Sequence, residues 1–474
     1  MTAGFRRALL PQLFNPRRLR GLQFWLDSDQ GVFAGGAGQF TAANNEFLSI
    51  ASNASLQTGD IDFTCAAWVY LDSKTTYRFI AAKDGGSTIA GDREWAMVYD
   101  SALDRFVFNV FLATDSIKQA VAGNLGVPAT GAWYFIVGWH DAAANTVNIQ
   151  VNNGTVNSVA TTGALQAAAD AAFRIGARAH ALSLPMDGRI TAPLFTKRVL
   201  TAAELTWLYH DGIPRKYNEL GNASNDGADL LTSLVSYWEM EEVSGTRNDK
   251  HGTNHLTDNN TVTWNPGPAL LRAVDGDPVR QWTDQSGNSN HVTQSTGSAM
   301  PLYKTNIQAG RPVIRFDGVD DILSVGAGLA ARAQQTIYIV AKANAAVDAT
   351  IRSLFYIVDG QSQVAVTTAI SATNWLWRLN EALGNVNLNI SSQTLAILTF
   401  VVRSASDAEV FGNGSSAATF DPYDGVTVNT GITLGQVLNC DIHEVAVYNQ
   451  AHTAAERAQV HRYLNRKYSL GLAV

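Results

Sequence analysis

The sequence predicts an all-β protein built from two antiparallel sandwiches, and three observations carry that expectation. Short runs of alternating apolar and polar residues, rich in β-branched and aromatic side chains, recur between turns rich in Gly and Asn. Charged residues are only 16 % of the 474 positions, well under the usual quarter, while small and turn-forming residues abound; strands joined by many turns have that composition. The third observation is repetition, because segments of the first half reappear in the second. The chain is long enough for each half to close a full core.

Residues 1–20 form a basic arm, in which Arg6, Arg7, Arg17, Arg18 and Arg20 stand among Phe5, Leu9, Leu10, Leu13 and Phe14 with no acid. Pro11 and Pro16 interrupt any membrane-surface helix, and Pro11, Gln12 and Asn15 break a signal-peptide core. An arm that docks on an acidic surface is one expectation, and a disordered tail is the alternative. An opening strand follows at Leu22 to Asp27 (LQFWLD), then QFTAANNEFLSI from Gln39 to Ile50. Strand patterns continue at Ile61 to Leu71, Arg105 to Phe111, Trp133 to His140 and Thr146 to Val151. Asn152-Asn153-Gly154 has the residues of a hairpin turn, since Asn and Gly accept φ > 0. Phe195 to Tyr209 (FTKRVLTAAELTWLY) closes this set with a strand and a short helix, capped by Thr201 with Glu204 three residues on.

A second opening strand, Leu234 to Met240 (LVSYWEM), leads to the turn NDKHGTNH from Asn248 to His255. Its counterpart TDQSGNSNH runs from Thr283 to His291, and RFDGVDDILSV (Arg315 to Val325) matches QFTAANNEFLSI. Further strands are expected at Thr336 to Ala341, Trp375 to Leu379, Leu395 to Val402 and Ile442 to Tyr448. Thr453 and Glu456 repeat the capping box at the last helix. Cys65 and Cys440 each fall inside an apolar strand, as buried free thiols do.

Taken together, the Trp-bearing opening strand, the D-x-x-G-x-N-H turn, the F-D-G-x-D-D turn, the W-Y-F strand and the T-A-A-E helix resemble the laminin G-like jelly rolls of the concanavalin A-like superfamily. The resemblance covers most of residues 20–470 in two copies and implies antiparallel β-sandwiches. The pieces occur out of order. In relatives, WEMEE…NDKHGTNH precedes the QFTAANNEFLSI piece, and WLDSD leads straight into WTDQSGN. One rearrangement accounts for both departures: a circularly permuted sandwich at 34–267 inserted in a host sandwich formed by 21–33 plus 268–474. A linear tandem is the plainer alternative. Glycine-rich Gly35 to Gly38 and Pro266-Gly267-Pro268 have the composition of insertion junctions.

Candidate sites are few. Asp317, Asp320 and Asp321 offer the hard-oxygen composition that calcium prefers, and the resemblance implies calcium at such a rim; otherwise no cofactor is expected. Trp95, Trp264, Trp375 and Trp377 sit near turns, where exposed aromatics could stack on sugar faces. Glu239 and Glu241 alternate onto one strand face, as an acid and a nucleophile would. The glucanase pattern resembles E-x-D-x-x-E, however, and Ser244 stands where its last acid belongs. Asp249, Asn254 and His255, with their repeats Asp284, Asn288, Asn290 and His291, read as turn chemistry rather than zinc ligands.

A net charge of −7 argues against nucleic acid as the main partner, and no run of eighteen apolar residues proposes a membrane span. The expected function is therefore non-enzymatic: a structural or adhesive protein of the bacteriophage virion surface, made in the host cytoplasm. The arm would attach it to a capsid or tail protein, and its sandwiches would meet host-surface glycans. A secreted bacterial surface lectin or adhesin is the alternative, and a glycoside hydrolase the second. Homo-oligomerisation stays open.

Overall fold

The computed structural model describes residues 14–85, 91–167, 170–178, 184–221, 229–325, 334–345, 352–359, 362–368, 374–379, 385–404, 406–420 and 431–473. The chain divides into two compact units. The first comprises Met1–Phe33, Arg272–Gln294 and Ala299–Val474, and the second Ala34–Leu271 with Ser295–Ser298. Antiparallel pairing joins the strands of both, so the all-β sandwich expectation holds.

One sheet of the second unit runs Asn157–Ala160, Thr146–Val151, Trp133–Asp141, Phe63–Leu71 and Gly188–Thr196 in neighbour order. On its other edge the last strand has two further partners: Gly188 to Ile190 pair with Phe40 to Gly38, and Leu194 to Thr196 with Leu234–Tyr237. The facing sheet runs Thr257–Asn259, Phe47–Ile50, Phe173–Ile175, Arg78–Asp84, Arg93–Asp100, Arg105–Phe111 and Ile117–Val121.

The period of two explains why Phe63–Leu71 is buried on both faces. Phe63, Cys65, Ala67, Val69 and Leu71 enter the core between the sheets with Trp95 and Phe108. Ala66 and Trp68 point the other way, beneath the helix Ala202–Tyr209 with its Leu205 and Leu208. Tyr209 stacks on Trp68 at 5.8 Å between centroids. Gly138 is demanded by this packing, because a Cβ there would stand 2.2 Å from the Phe108 ring. In the hairpin after Thr146–Val151, Asn152 and Asn153 take the left-handed conformation, φ 52° and 53°. Gly154 instead donates its N–H to the Val151 carbonyl.

One sheet of the first unit runs Leu302–Gln308, Arg311–Asp317, Asn439–Tyr448, Gln335–Ala343, Ala396–Ser404, Asp407–Gly412 and Ser415–Phe420. Leu22–Asp27 pairs with Asn439–Tyr448 in the register Trp25 opposite Ala446. A second set of paired strands includes Gln281–Trp282, Val292–Thr293, Leu323–Val325, Gly431–Leu434 and Arg352–Asp359. Tyr338, Val340, Ala446 and Tyr448 pack beneath the helix Ala454–Tyr468 through Val460, Leu464 and Tyr468. Both helices begin with the expected capping box, Thr201 with Glu204 and Thr453 with Glu456. Both cysteines are buried and free.

Candidate functional site

The repeated asparagine turns are clamps on the opening strands. In the first unit, Asp284 accepts from the backbone N–H of Trp25 at 2.9 Å, of Ser286 at 2.8 Å and of Asn290 at 3.1 Å. Its own N–H donates to Nδ1 of His291 at 3.2 Å. In the second unit, Asp249 accepts from Tyr237, His251 and Asn254 N–H at 3.0–3.1 Å and donates its N–H to His255 Nδ1 at 3.1 Å. With both carboxylate oxygens taken by backbone donors and the histidine nitrogen turned to a backbone N–H, these residues are occupied in turn chemistry.

Glu239 and Glu241 are buried against Lys216. Lys216 Nζ lies 2.5 Å from Glu241 and 3.5 Å from Glu239. Glu241 also accepts the Gly36 N–H at 2.8 Å, and Glu239 accepts the Tyr217 N–H at 2.6 Å. A glycosidase pair needs one carboxyl free to give a proton and another free to reach the anomeric carbon. Here both are committed to one ammonium and the backbone. The first unit repeats the device with other residues: Lys467 donates to Asp27 at 2.6 Å and to Glu444 at 2.9 Å. Trp25, Tyr463 and Tyr468 also donate to Glu444, at 2.8, 3.0 and 2.9 Å. Neither lysine is legible in the sequence, because neither sits near its acids along the chain.

The acidic turn stands in the first unit. Asp317, Asp320 and Asp321 bring carboxylate oxygens within 4.8 Å of one another. Asp321 accepts the Asp317 N–H at 2.7 Å, and Asp317 accepts the Val319 N–H at 2.7 Å around Gly318, whose φ is +83°. Burial, with the negative Asp317 and Asp320 beside it, pushes the Asp321 carboxyl up to about 6 despite its backbone hydrogen bond. The matching turn of the second unit has one acid, Glu46, which accepts the Thr41 N–H at 2.6 Å. Three clustered hard oxygens have the composition that suits a calcium ion.

The expected aromatic platforms are corrected by burial. Trp95 and Trp375 are fully buried and Trp264 is 6 % exposed. Trp95 stacks on Phe195 with centroids 5.9 Å apart, and the Trp264 ring fills the space over Gly36 and Gly297. Proximity to a turn in sequence did not place these rings outside, because strand alternation put them on core-facing positions. Trp377 occupies the strand Asn374–Leu379, with its side chain outside the described residues. Of the arm, Arg6 and Arg7 lie outside the described residues, whereas Arg17, Arg18 and Arg20 are exposed around the single turn Pro16–Arg18. Among the described residues no helix is long and apolar enough to cross a membrane.

Strand order, capped helices and clamped opening strands define an antiparallel β-sandwich protein. Residues 41–206, within the second unit, match the family model described as Concanavalin A-like lectin/glucanases superfamily. No curated protein matches the chain significantly. Among solved structures, the chain is similar to the binding domain of Paraclostridial Mosquitocidal Protein 1, at 15 % identity and TM-score 0.33, covering 40 % of this chain and 52 % of that one. A candidate carbohydrate binding protein from Bacteroides ovatus is 16 % identical at TM-score 0.37, with 50 % and 62 % covered. Domain 4 of an extracellular arabinanase from Geobacillus stearothermophilus, in complex with arabinotriose, is 15 % identical at TM-score 0.32, with 38 % and 91 % covered. The chain thus spans less than two thirds of the length of the first two.

Proposed function

We propose that this chain is a non-enzymatic, glycan-binding structural protein of a bacteriophage virion surface, joined to a capsid or tail protein through its basic N-terminal segment. The observation that carries the binding part is the lectin/glucanases match of residues 41–206 in a sandwich whose paired glutamates are committed to Lys216. Exposed Arg17, Arg18 and Arg20 support attachment to an acidic surface. The same reading takes the second unit to be a permuted sandwich inserted in the first, and the acidic turn to hold calcium through Asp317, Asp320 and Asp321. Screening the purified chain on a glycan array, and mass spectrometry of purified virions, test the two parts separately. Retention on a defined glycan and peptides of this chain in the particles are expected. Retention without virion peptides would favour a secreted lectin. Polysaccharide cleavage lost on Glu239→Gln would overturn the non-enzymatic reading.

A further inference from the structure

The first unit contains a cleft of about 690 Å³, within the size range of small-molecule sites. The turn Pro16–Arg18 and the helix Ala454–Tyr468 border it. Phe14 and Tyr463 form an aromatic floor, with ring centroids 5.5 Å apart and planes inclined at 50°, and Leu19 extends its apolar surface. Of the cleft's cations, Lys467 is held by Asp27 and Glu444, and Arg311 by Asp29 at 2.8 Å. Arg462 and Arg466 differ. They stand four residues apart on the helix, both are exposed, and neither has a hydrogen bond or ion pair among the described residues. Like charges at that spacing repel, and an anion between them would relieve it. Arg18, also exposed, stands at the same cleft.

An anion alone could be met by a flat basic surface. A half-open cleft with an aromatic floor suits a ligand that has both a ring face and a negative group. Gln30 and Gln459 at its border could bond hydroxyl groups. We propose that this cleft binds an acidic saccharide, its ring face on Phe14 and Tyr463 and its carboxylate or sulfate between the guanidinium forks of Arg462 and Arg466. The proposal rests on the glycan-binding reading and names a ligand class and a place for it.

Calorimetric titration of the full chain tests it with four probes: a uronic-acid tetrasaccharide, a sulfated tetrasaccharide, a neutral tetrasaccharide and a polyglutamate peptide. At least one acidic saccharide should bind, with the better of the two identifying the anion. Binding should weaken at least about tenfold in the double variant Arg462→Gln, Arg466→Gln. Arg272→Gln, exposed and outside the cleft, should change nothing. If the double variant melts lower than the wild type, Arg462→Lys with Arg466→Lys replaces it; charge without the fork should give a smaller loss. Polyglutamate binding as tightly as the saccharides would overturn the proposal in favour of an acidic protein partner. Unchanged acidic-saccharide binding in the variant would overturn the cleft alone, whereas failure of every saccharide here and on the array would remove the glycan reading itself.

Discussion

At the residue scale, the lysine clamps carry the sharpest consequences. Lys216 is buried between two carboxylates, so Lys216→Met leaves them facing each other without a counter-charge. The second unit should lose about 3–5 kcal/mol, read as a lower urea midpoint for its transition. Trp95→Ala should act in the same way. It opens a cavity in a core packed with Phe63, Phe108 and Phe173 and should cost about 3–5 kcal/mol. Asp321 makes a pH prediction. Its carboxyl is pushed up to about 6 by burial and by Asp317 and Asp320, so protons compete with a bound cation below that pH. Calcium should raise the melting temperature at pH 7.5 and lose that effect as pH falls through about 6; no shift at any pH, or an equal shift in Asp317→Asn, would sink the calcium assignment. Without metal the sign is the reverse. A raised carboxyl stabilises the fold below its unfolded value near 4, and that contribution is lost as pH rises through about 6. The acidic cluster was legible in sequence because its three acids are nearly adjacent. The lysine clamps were not, since 23 residues separate Lys467 from Glu444 and 440 from Asp27.

At the scale of elements, the helix Ala454–Tyr468 joins several properties of the first unit. Thr453→Ala removes its capping box and should cost about 1 kcal/mol, with Thr201→Ala doing the same for the helix of the second unit. Around this helix, burial first of all lowers His452 and His461 to about 4. Arg457 also disfavours the charged form of both, and Glu456 opposes it at His452. His452 Nδ1 lies 2.8 Å from the Tyr338 hydroxyl and His461 Nε2 2.9 Å from that of Thr399. A depressed histidine pKa means that the unfolded chain takes up protons first as the pH drops. Stability is therefore present at neutral pH and falls between about 6.5 and 4, by on the order of 2–3 kcal/mol per buried histidine. Urea titrations at pH 7, 6 and 5 should show a shallower pH slope for His461→Gln than for the wild type; an unaltered slope would refute the assignment. Both helices, their caps and most strands could be read from sequence because each is a local pattern. The Trp platforms could not, because a position near a turn says nothing of which sheet face a ring occupies.

At the scale of the whole molecule, the division of the chain makes the boldest prediction. Leu22–Asp27 pairs with Asn439–Tyr448, and Asp284 clamps it through Trp25, so the start and end of the chain share one sheet. Leu234–Tyr237 pairs with Gly188–Thr196 and is clamped by Asp249. If the second unit is an inserted sandwich, excising 34–267 and joining the ends with a short linker should leave a soluble, cooperatively unfolding protein. The excised piece should fold by itself, because its core and opening strand go with it. Aggregation of both fragments, as unpaired edges would produce, would count against insertion. Removing residues 1–20 should abolish salt-sensitive attachment to a virion partner, since exposed arginines act over about 8 Å at physiological ionic strength; attachment that survives the deletion would refute the anchoring role.

By itself the sequence determined what short-range physics determines: the strand periodicity, the capping boxes, the Asx turns and the out-of-order repeat that sets two sandwiches in one chain. Each depends on residues a few positions apart, where side-chain direction follows directly from backbone period. Only the tertiary structure decided that Glu239 and Glu241 are held by Lys216, that Trp95, Trp264 and Trp375 face cores, and that Arg462 and Arg466 meet Phe14 across a cleft. Those outcomes depend on pairing between strands and loops far apart in the chain. There, burial and electrostatic partners are set by which surfaces close on one another, a quantity that no local pattern encodes.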